Sequence, residues 1–499
     1  MRLPFRLLLL SASLSLASPV VFSHTEAQTQ VQAEATNQSN TAQQSAPIAL
    51  KAYQPDFRAL PYGHDTALVI ADAKTGDILY SQREAQFQPP ASTQKMVTAL
   101  AAQLYLGKDY RFTTQLEQQE SDIVLRFSGD PALSRKQLAS LLGKMKAHSG
   151  STIKGDLLLN GSQFSGYEQA PGWPWDILGV CYSAPSSSLS LEHNCVQGAL
   201  YSNRNVGDTT RVNIPSHQPL KVTTDALVTT KERQKASHCD LELTNKGNNH
   251  YHLSGCLVKR DKPLPLNFAV QDTEAYISQV IKAELKRLGI KLEGSIKRDD
   301  SAKGKVIASH HSAPLHELLN TMVKDSDNLY ADNIAKTIGA KYFKQPGSFA
   351  NGSKAIKAIL KDKANIDLER AVIVDGSGLS RNNRMTASQM MEVITYIYNH
   401  DDTLNLLATM PVSGQSGTLR YRQSIRHKPL QGRIHAKSGS LYGTYNLAGL
   451  IKVQSGQTLL FVQMVSNYFP PERDESLPAI APPIETFERT LYKGLYQQY

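Results

Sequence analysis

The sequence predicts an α/β (α+β) domain whose sheet is completed by segments far apart along the chain, with mainly-β domains inserted into it. Three observations predict this. Apolar strand patterns at residues 66–70 and 78–80 flank the turn-forming run Asp72-Ala-Lys-Thr-Gly-Asp77, which makes an opening hairpin. Strand patterning returns near the other end of the chain, at 432–453 and 458–466, with helical periodicity on both sides. Between about 108 and 297 the character changes to short alternating strands, such as 121–127 and 153–159, broken by turns.

In chain order, residues 1–23 read as an export signal. Arg2 and Arg6 give a positive start, an apolar stretch runs from Leu7 to Phe22, and Val21-Phe22-Ser23 resembles a small-residue cleavage site. Ser11, Ser13, Ser15 and Pro19 dilute the apolar run, which makes it poor as a permanent membrane span. Residues 24–50 are rich in Gln, Thr, Ala, Ser and Asn and bury too little to order themselves, so a disordered linker is expected. After the hairpin, Pro89-Pro90-Ala91 precedes a run of good helix formers from Ser92 to Leu106, which predicts a buried helix beginning near Ser92.

The inserted region is assigned to 108–199 and 266–296. A smaller nested domain at 200–265 is densest in Thr, Asn, His and Lys. The main domain then comprises 51–107 and 297–499. Helical patterning resumes at 273–288, 314–323 and 330–342, and a closing helix is predicted over 484–496.

The four cysteines form two close pairs, Cys181 with Cys195 and Cys239 with Cys256. In an exported chain two local disulfides are the simplest reading, although spacing alone leaves three connectivities open. No Cys-x-x-Cys or finger-like His spacing is present, so neither a metal nor any other cofactor is expected. The net charge of +10 suits loose association with anionic glycan or phospholipid head groups. Its Lys and Arg residues are scattered, and with no recognition motif and an export signal, nucleic acid is excluded as a partner.

Chemistry points to three motifs in a fixed order: Ser92-Thr-Gln-Lys95, Ser326-Asp-Asn328 and Lys437-Ser438-Gly439. Positions i and i+3 share a helix face, so Lys95 can reach the Ser92 hydroxyl. A lysine accepts that proton only if burial or a neighbouring cation lowers its pKa, and Lys437 is the obvious neighbour. Each motif alone is weak. Lys74-Thr75-Gly76 is a perfect copy of the third kind, yet it precedes the serine and reads as a hairpin turn. Order and context carry the signal, and this set is characteristic of penicillin-binding proteins and class A β-lactamases.

The stretches Ser326-Asp-Asn-Leu-Tyr-Ala-Asp332, Val374-Asp-Gly-Ser-Gly-Leu-Ser-Arg381, Gly417-Thr-Leu-Arg-Tyr-Arg422 and Ala436-Lys-Ser-Gly-Ser-Leu441 closely resemble the D-alanyl-D-alanine carboxypeptidase/endopeptidase family, the low-mass class C penicillin-binding proteins. Ser128-Gly-Asp-Pro-Ala-Leu133, Gly172-Trp-Pro-Trp-Asp176 and Tyr182-Ser-Ala-Pro185 extend the resemblance through the inserted region. It therefore spans nearly the whole mature chain. One departure is Ser438, where the family commonly has threonine; the hydroxyl is kept.

The resemblance implies a penicillin-binding-protein/serine β-lactamase-like fold, with an antiparallel sheet and flanking helices, and a periplasmic D,D-peptidase acting on peptidoglycan stem peptides and acylated by β-lactam antibiotics. It implies Ser92 as nucleophile, Lys95 as base, and Ser326 and Lys437 as further catalytic groups. Asn328, Ser438, Gly439 and Ser440 would bind substrate, with the Ser92 and Ser440 N–H groups as oxyanion donors. Asp176 would meet the cationic side chain of a diamino acid; Trp173 and Trp175 read equally well as core anchors. A class A β-lactamase is disfavoured because no Glu-x-x-Leu-Asn lies between Ser326 and Lys437 and the interval from Ser92 to Ser326 is too long. A non-catalytic wall-binding protein is disfavoured by the intact Ser92, Lys95, Ser326, Asn328 and Lys437.

Overall fold

The computed structural model describes residues 53–472 and 480–499. The expected export signal and linker lie outside the described residues.

The main sheet has five strands in the order Ile434–Leu441, Thr444–Lys452, Thr458–Ser466, Asp65–Asp72, Ile78–Gln82, every neighbouring pair antiparallel. The opening hairpin is thus stitched to the late strands, as the patterning predicts. Asp72 closes its turn by accepting from the N–H of Lys74 and Thr75 at 2.7 and 3.0 Å, so the Lys74-Thr-Gly copy is structural.

Strand periodicity sorts the sheet's two faces. Ala67, Val69 and Ala71 join one core with the helices Lys95–Tyr105, Leu315–Lys324, Asn328–Phe343, Phe349–Ala364 and Ala387–Asn399. Leu68 and Ile70 point the other way, against the closing helix Pro483–Gln498 through Phe487 and Leu491. Among the described residues no helix is long and apolar enough to cross a membrane.

A second five-stranded sheet runs Ile296–Arg298, Leu157–Asn160, Asp122–Arg126, Thr113–Gln119, Lys305–His311, with the first two pairings parallel and the last two antiparallel. A boundary at 297 therefore cuts through this sheet, which extends to His311. The polar strand Lys305–His311 has no apolar alternation of its own, and only its pairing with Thr113–Gln119 defines it. The region is also less purely β than its patterning suggests, since helix Arg135–Ser149 packs Leu138, Leu141, Leu142 and Met145 beneath it. That helix carries a capping box, Ser134 with Gln137, and its buried residues Leu138, Leu141, Leu142 and Met145 keep the i, i+3, i+4, i+7 spacing of a helix face.

Disulfides join Cys181 to Cys195 and Cys239 to Cys256, the two local pairs. The first closes a loop that lies against the start of helix Asn328–Phe343.

Candidate active site

Ser92 sits on a 3₁₀ turn, Ala91–Gln94, that continues directly into helix Lys95–Tyr105. Ala91, fully buried, adopts φ 48°, a left-handed conformation that costs a residue with a Cβ about 1–2 kcal/mol. Such a conformation persists only where surroundings over-determine it. Here they do. Asn446 Nδ2 donates to the carbonyls of Pro89 and Pro90 at 2.8 and 3.0 Å, and Thr93 Oγ1 donates to Pro90 O at 2.6 Å. Two glycines allow close approach from distant segments. A Cβ at Gly378, itself at φ 83°, would stand 1.9 Å from Ala91 O, and one at Gly439 would stand 2.9 Å from Pro90 O. The edge strand bearing Lys437-Ser-Gly439 is therefore pressed against the turn that presents Ser92.

One helical position row places Lys95 under the serine. Lys95 Nζ lies 2.9 Å from Ser92 Oγ, 2.6 Å from Asn328 Oδ1 and 2.8 Å from the Ser377 carbonyl. Lys95 is wholly buried, and burial pushes its ammonium pKa down, opposed by the nearby Asp332, Asp375 and Asp327. Lys437 is buried as completely; its Nζ lies 2.9 Å from Ser326 Oγ and 2.8 Å from the Ser438 carbonyl. Burial drives its pKa well below the ordinary lysine range, and the cations Lys95 and Arg422 add to that. Each hydroxyl of the centre thus has an amine beside it whose charged form is disfavoured.

Ser326 is held at φ 61°, immediately before helix Asn328–Phe343. Asp327 caps that helix by accepting from Tyr330 N at 3.1 Å, which turns Asn328 inwards. Asn328 Oδ1 faces Lys95, while its Nδ2 donates to the Tyr182 carbonyl at 2.7 Å. Ser438 Oγ sits 2.7 Å from Thr418 Oγ1.

The loop Val374–Arg381 braces the floor. Asp375 accepts from Gly378 N, Ser380 N, Asn383 Nδ2 and Trp173 Nε1 at 2.7–2.9 Å. Asp332 accepts from Gly376 N and Ser377 N at 2.8 and 2.9 Å, which aims the Ser377 carbonyl at Lys95. Trp173 is 8 % exposed and packs edge-on to Phe349, whereas Trp175 is 86 % exposed; one is a core anchor and the other is not.

A cleft of about 550 Å³ opens above Ser92. Ser326, Asn328 and Ser440 line it, as do Asp176, Tyr182 and Arg381. Asp176 makes no hydrogen bond or ion pair among the described residues, so its carboxylate is available to a cationic group. All the predicted residues come together: Ser92, Lys95 and Asn328 through one set of contacts, Ser326 and Lys437 through another, with Ser438 and Gly439 on the adjoining strand. Sequence reasoning assigned nothing to the Ser377 and Tyr182 carbonyls, Thr418 or Asp375. All four lie inside the quoted motif stretches, which was their one signal.

The model of the D-Ala-D-Ala carboxypeptidase 3 (S13) family matches residues 48–491. Over 447 residues the chain is 36 % identical to the D-alanyl-D-alanine carboxypeptidase DacB of Haemophilus influenzae, covering 88 % of this chain and 92 % of that protein. It is 26 % identical to a D-alanyl-D-alanine carboxypeptidase of Actinomadura sp. over 429 residues, 81 % of this chain and 78 % of the other. The crystal structure of H. influenzae penicillin-binding protein 4 superposes with a TM-score of 0.81 at 35 % identity, covering 88 % of this chain and 98 % of that one. The same protein complexed with a β-lactam matches at a TM-score of 0.77. With a family model spanning almost every described residue, this chain belongs to the D-Ala-D-Ala carboxypeptidase 3 (S13) family.

Proposed function

We propose that this chain is a periplasmic serine D,D-peptidase that cleaves D-Ala-D-Ala stem-peptide ends, D-alanyl cross-links of peptidoglycan, or both, through an acyl-enzyme on Ser92. The observation that carries the reading is the 2.9 Å approach of Lys95 Nζ to Ser92 Oγ in a site where burial disfavours the ammonium. Neutral Lys95 takes the Ser92 proton as the oxygen attacks the carbonyl between the two D-alanines. The Ser92 and Ser440 N–H groups hold the resulting oxyanion.

Collapse of that intermediate breaks the C–N bond, and Ser326, beside Lys437, passes its proton to the departing amine and takes up in its place the one that Lys95 removed from Ser92, which leaves Lys95 neutral again. An ester on Ser92 remains. Water then attacks it and gives a proton to Lys95, which returns that proton to the leaving Ser92 oxygen, and the shortened peptide departs as a carboxylate after losing its acid proton to solvent. Asn328 orients the stem-peptide amide. Lys437 with the paired hydroxyls of Ser438 and Thr418 meets the terminal carboxylate through charge-assisted hydrogen bonds. Asp176 receives the cationic end of a diamino acid. A penicillin offers the same serine a strained amide, and acylates it.

The location outside the cytoplasm is supported by the export-signal pattern and by two disulfides, which persist in oxidising compartments. We read residues 113–311 as a region inserted between the Ser92 and Ser326 motifs, carrying the nested 200–265 module. Ser92→Ala tests the whole reading: it abolishes covalent labelling by a fluorescent penicillin and release of D-alanine from a stem pentapeptide. Persistent labelling would mean another nucleophile. Rapid nitrocefin hydrolysis without D-alanine release would make the protein a β-lactamase instead.

A further inference from the structure

The wall formed by Tyr182, Ser326 and Asn328 has two sides. One faces the Ser92 cleft; the other faces a second cavity of about 680 Å³, within the roughly 300–1,000 Å³ usual for ligand sites. Part of this cavity's surface is the strand pair Cys195–Tyr201 and Leu264–Ala269, where Gln197 stands directly opposite Asn267. Directly opposed residues of an antiparallel pair share a face. Both are exposed, and neither side-chain amide makes a hydrogen bond among the described residues. Around them Glu192, Asp325 and Asp327 supply three carboxylates against one imidazole, His193, which lies 3.5 Å from Asp327.

We propose that this second cavity is the binding site for the leaving peptide of a cross-link, the arm whose amine is released when Ser92 is acylated. This rests on the D,D-peptidase reading and extends it to the second strand of the substrate. The cavity begins at Ser326, the residue that hands the departing nitrogen its proton. The product amine becomes an ammonium there, and carboxylates in a partly enclosed groove favour it more than open water does. A cross-link arm carries several further peptide units beyond the departing nitrogen, and the Gln197 and Asn267 amides lining the same cavity match peptide N–H and C=O groups. A free D-alanine leaving group has no further peptide unit to offer them. The site therefore separates two activities of one nucleophile: cross-link cleavage uses the second cavity, and removal of a terminal D-alanine does not.

The test compares purified cross-linked muropeptide dimer with uncross-linked pentapeptide muropeptide as substrates of the full-length protein. The double variant Q197A/N267A, and Asn267→Trp, which fills the groove, are expected to lower kcat/KM for the dimer about tenfold or more. Pentapeptide hydrolysis should stay within twofold and fluorescent-penicillin labelling should be unchanged, which also reports that both variants are folded. Unchanged dimer cleavage in both variants, or an equal fall on both substrates, overturns the proposal, as does a wild-type protein that trims pentapeptide but never cleaves dimer. A wild-type protein that neither labels nor releases D-alanine brings down the D,D-peptidase reading itself.

Discussion

Helix Asn328–Phe343 separates two buried lysine centres that look alike in burial and differ in what surrounds the amine. At its start, Lys95 and Lys437 each lie 2.9 Å from a serine hydroxyl. Further along, Lys336 is 1 % exposed, with its pKa pushed down to about 8 by burial, yet its Nζ donates only to the carbonyls of Tyr167 and Ser186, at 2.8 and 2.6 Å, and stands 4.2 Å from the centre of the Phe349 ring. Desolvation acts on all three. Only the first two have a proton to exchange with an attacking or leaving atom, so a depressed pKa marks a candidate and geometry decides the role. Lys336 ties the inserted region's loops to the helix; Lys95 stands where the proposed chemistry needs a base.

The sharpest way to break this contrast is to remove each amine in turn. Lys95→Met should slow acylation by a fluorescent penicillin about 10³-fold, in the range of a lost general base, with the fold intact by circular dichroism. Gly378→Ala leaves both lysines in place but drives a Cβ into the Ala91 carbonyl, and displacement of the Ser92 turn should cost about 10²-fold in acylation rate.

Next in size is pH. The proposed mechanism uses the neutral amine of Lys95 and burial lowers its pKa, so the acylation rate should climb about tenfold per unit at low pH and level off well below the roughly 10.4 of an unperturbed lysine. A rate that keeps rising to pH 10 would show that Lys95 is not the base. Lys336→Met should have the smallest effect on chemistry, within threefold in acylation. Its cost appears in thermal unfolding instead, because the Tyr167 and Ser186 carbonyls lose their donor and the buried one, that of Ser186, costs about 1–3 kcal/mol when left unpaired. A Lys336 variant as inactive as the Lys95 variant would erase the distinction.

How much of this was legible beforehand follows the range of the interaction. Ser92 and Lys95 are one helical turn apart, and local periodicity brings them together wherever the helix forms. The hairpin, the late strands and the closing helix also announce themselves through local patterning. A domain boundary placed at 297 divides a sheet, because strand Lys305–His311 is defined by its pairing with Thr113–Gln119, nearly 200 positions earlier in the chain, and not by its own alternation. Helix Arg135–Ser149 stands among short strands, yet its capping box and the helical spacing of Leu138, Leu141, Leu142 and Met145 are both local signals. Trp173 and Trp175, two positions apart in one motif, could not be told apart until Asp375 and Phe349 were found beside the first.

What the chain by itself determined is therefore the inventory: a serine and lysine on one helix face, two later motifs with the right side chains, cysteines in neighbouring pairs, and two distant sets of strands. What only tertiary structure decided is the environment of each amine. Whether a lysine meets a hydroxyl or a carbonyl depends on contacts between Ser326, Ser377, Gly378, Gly439 and the Ser92 turn. Those contacts join segments hundreds of residues apart, and no local propensity encodes them.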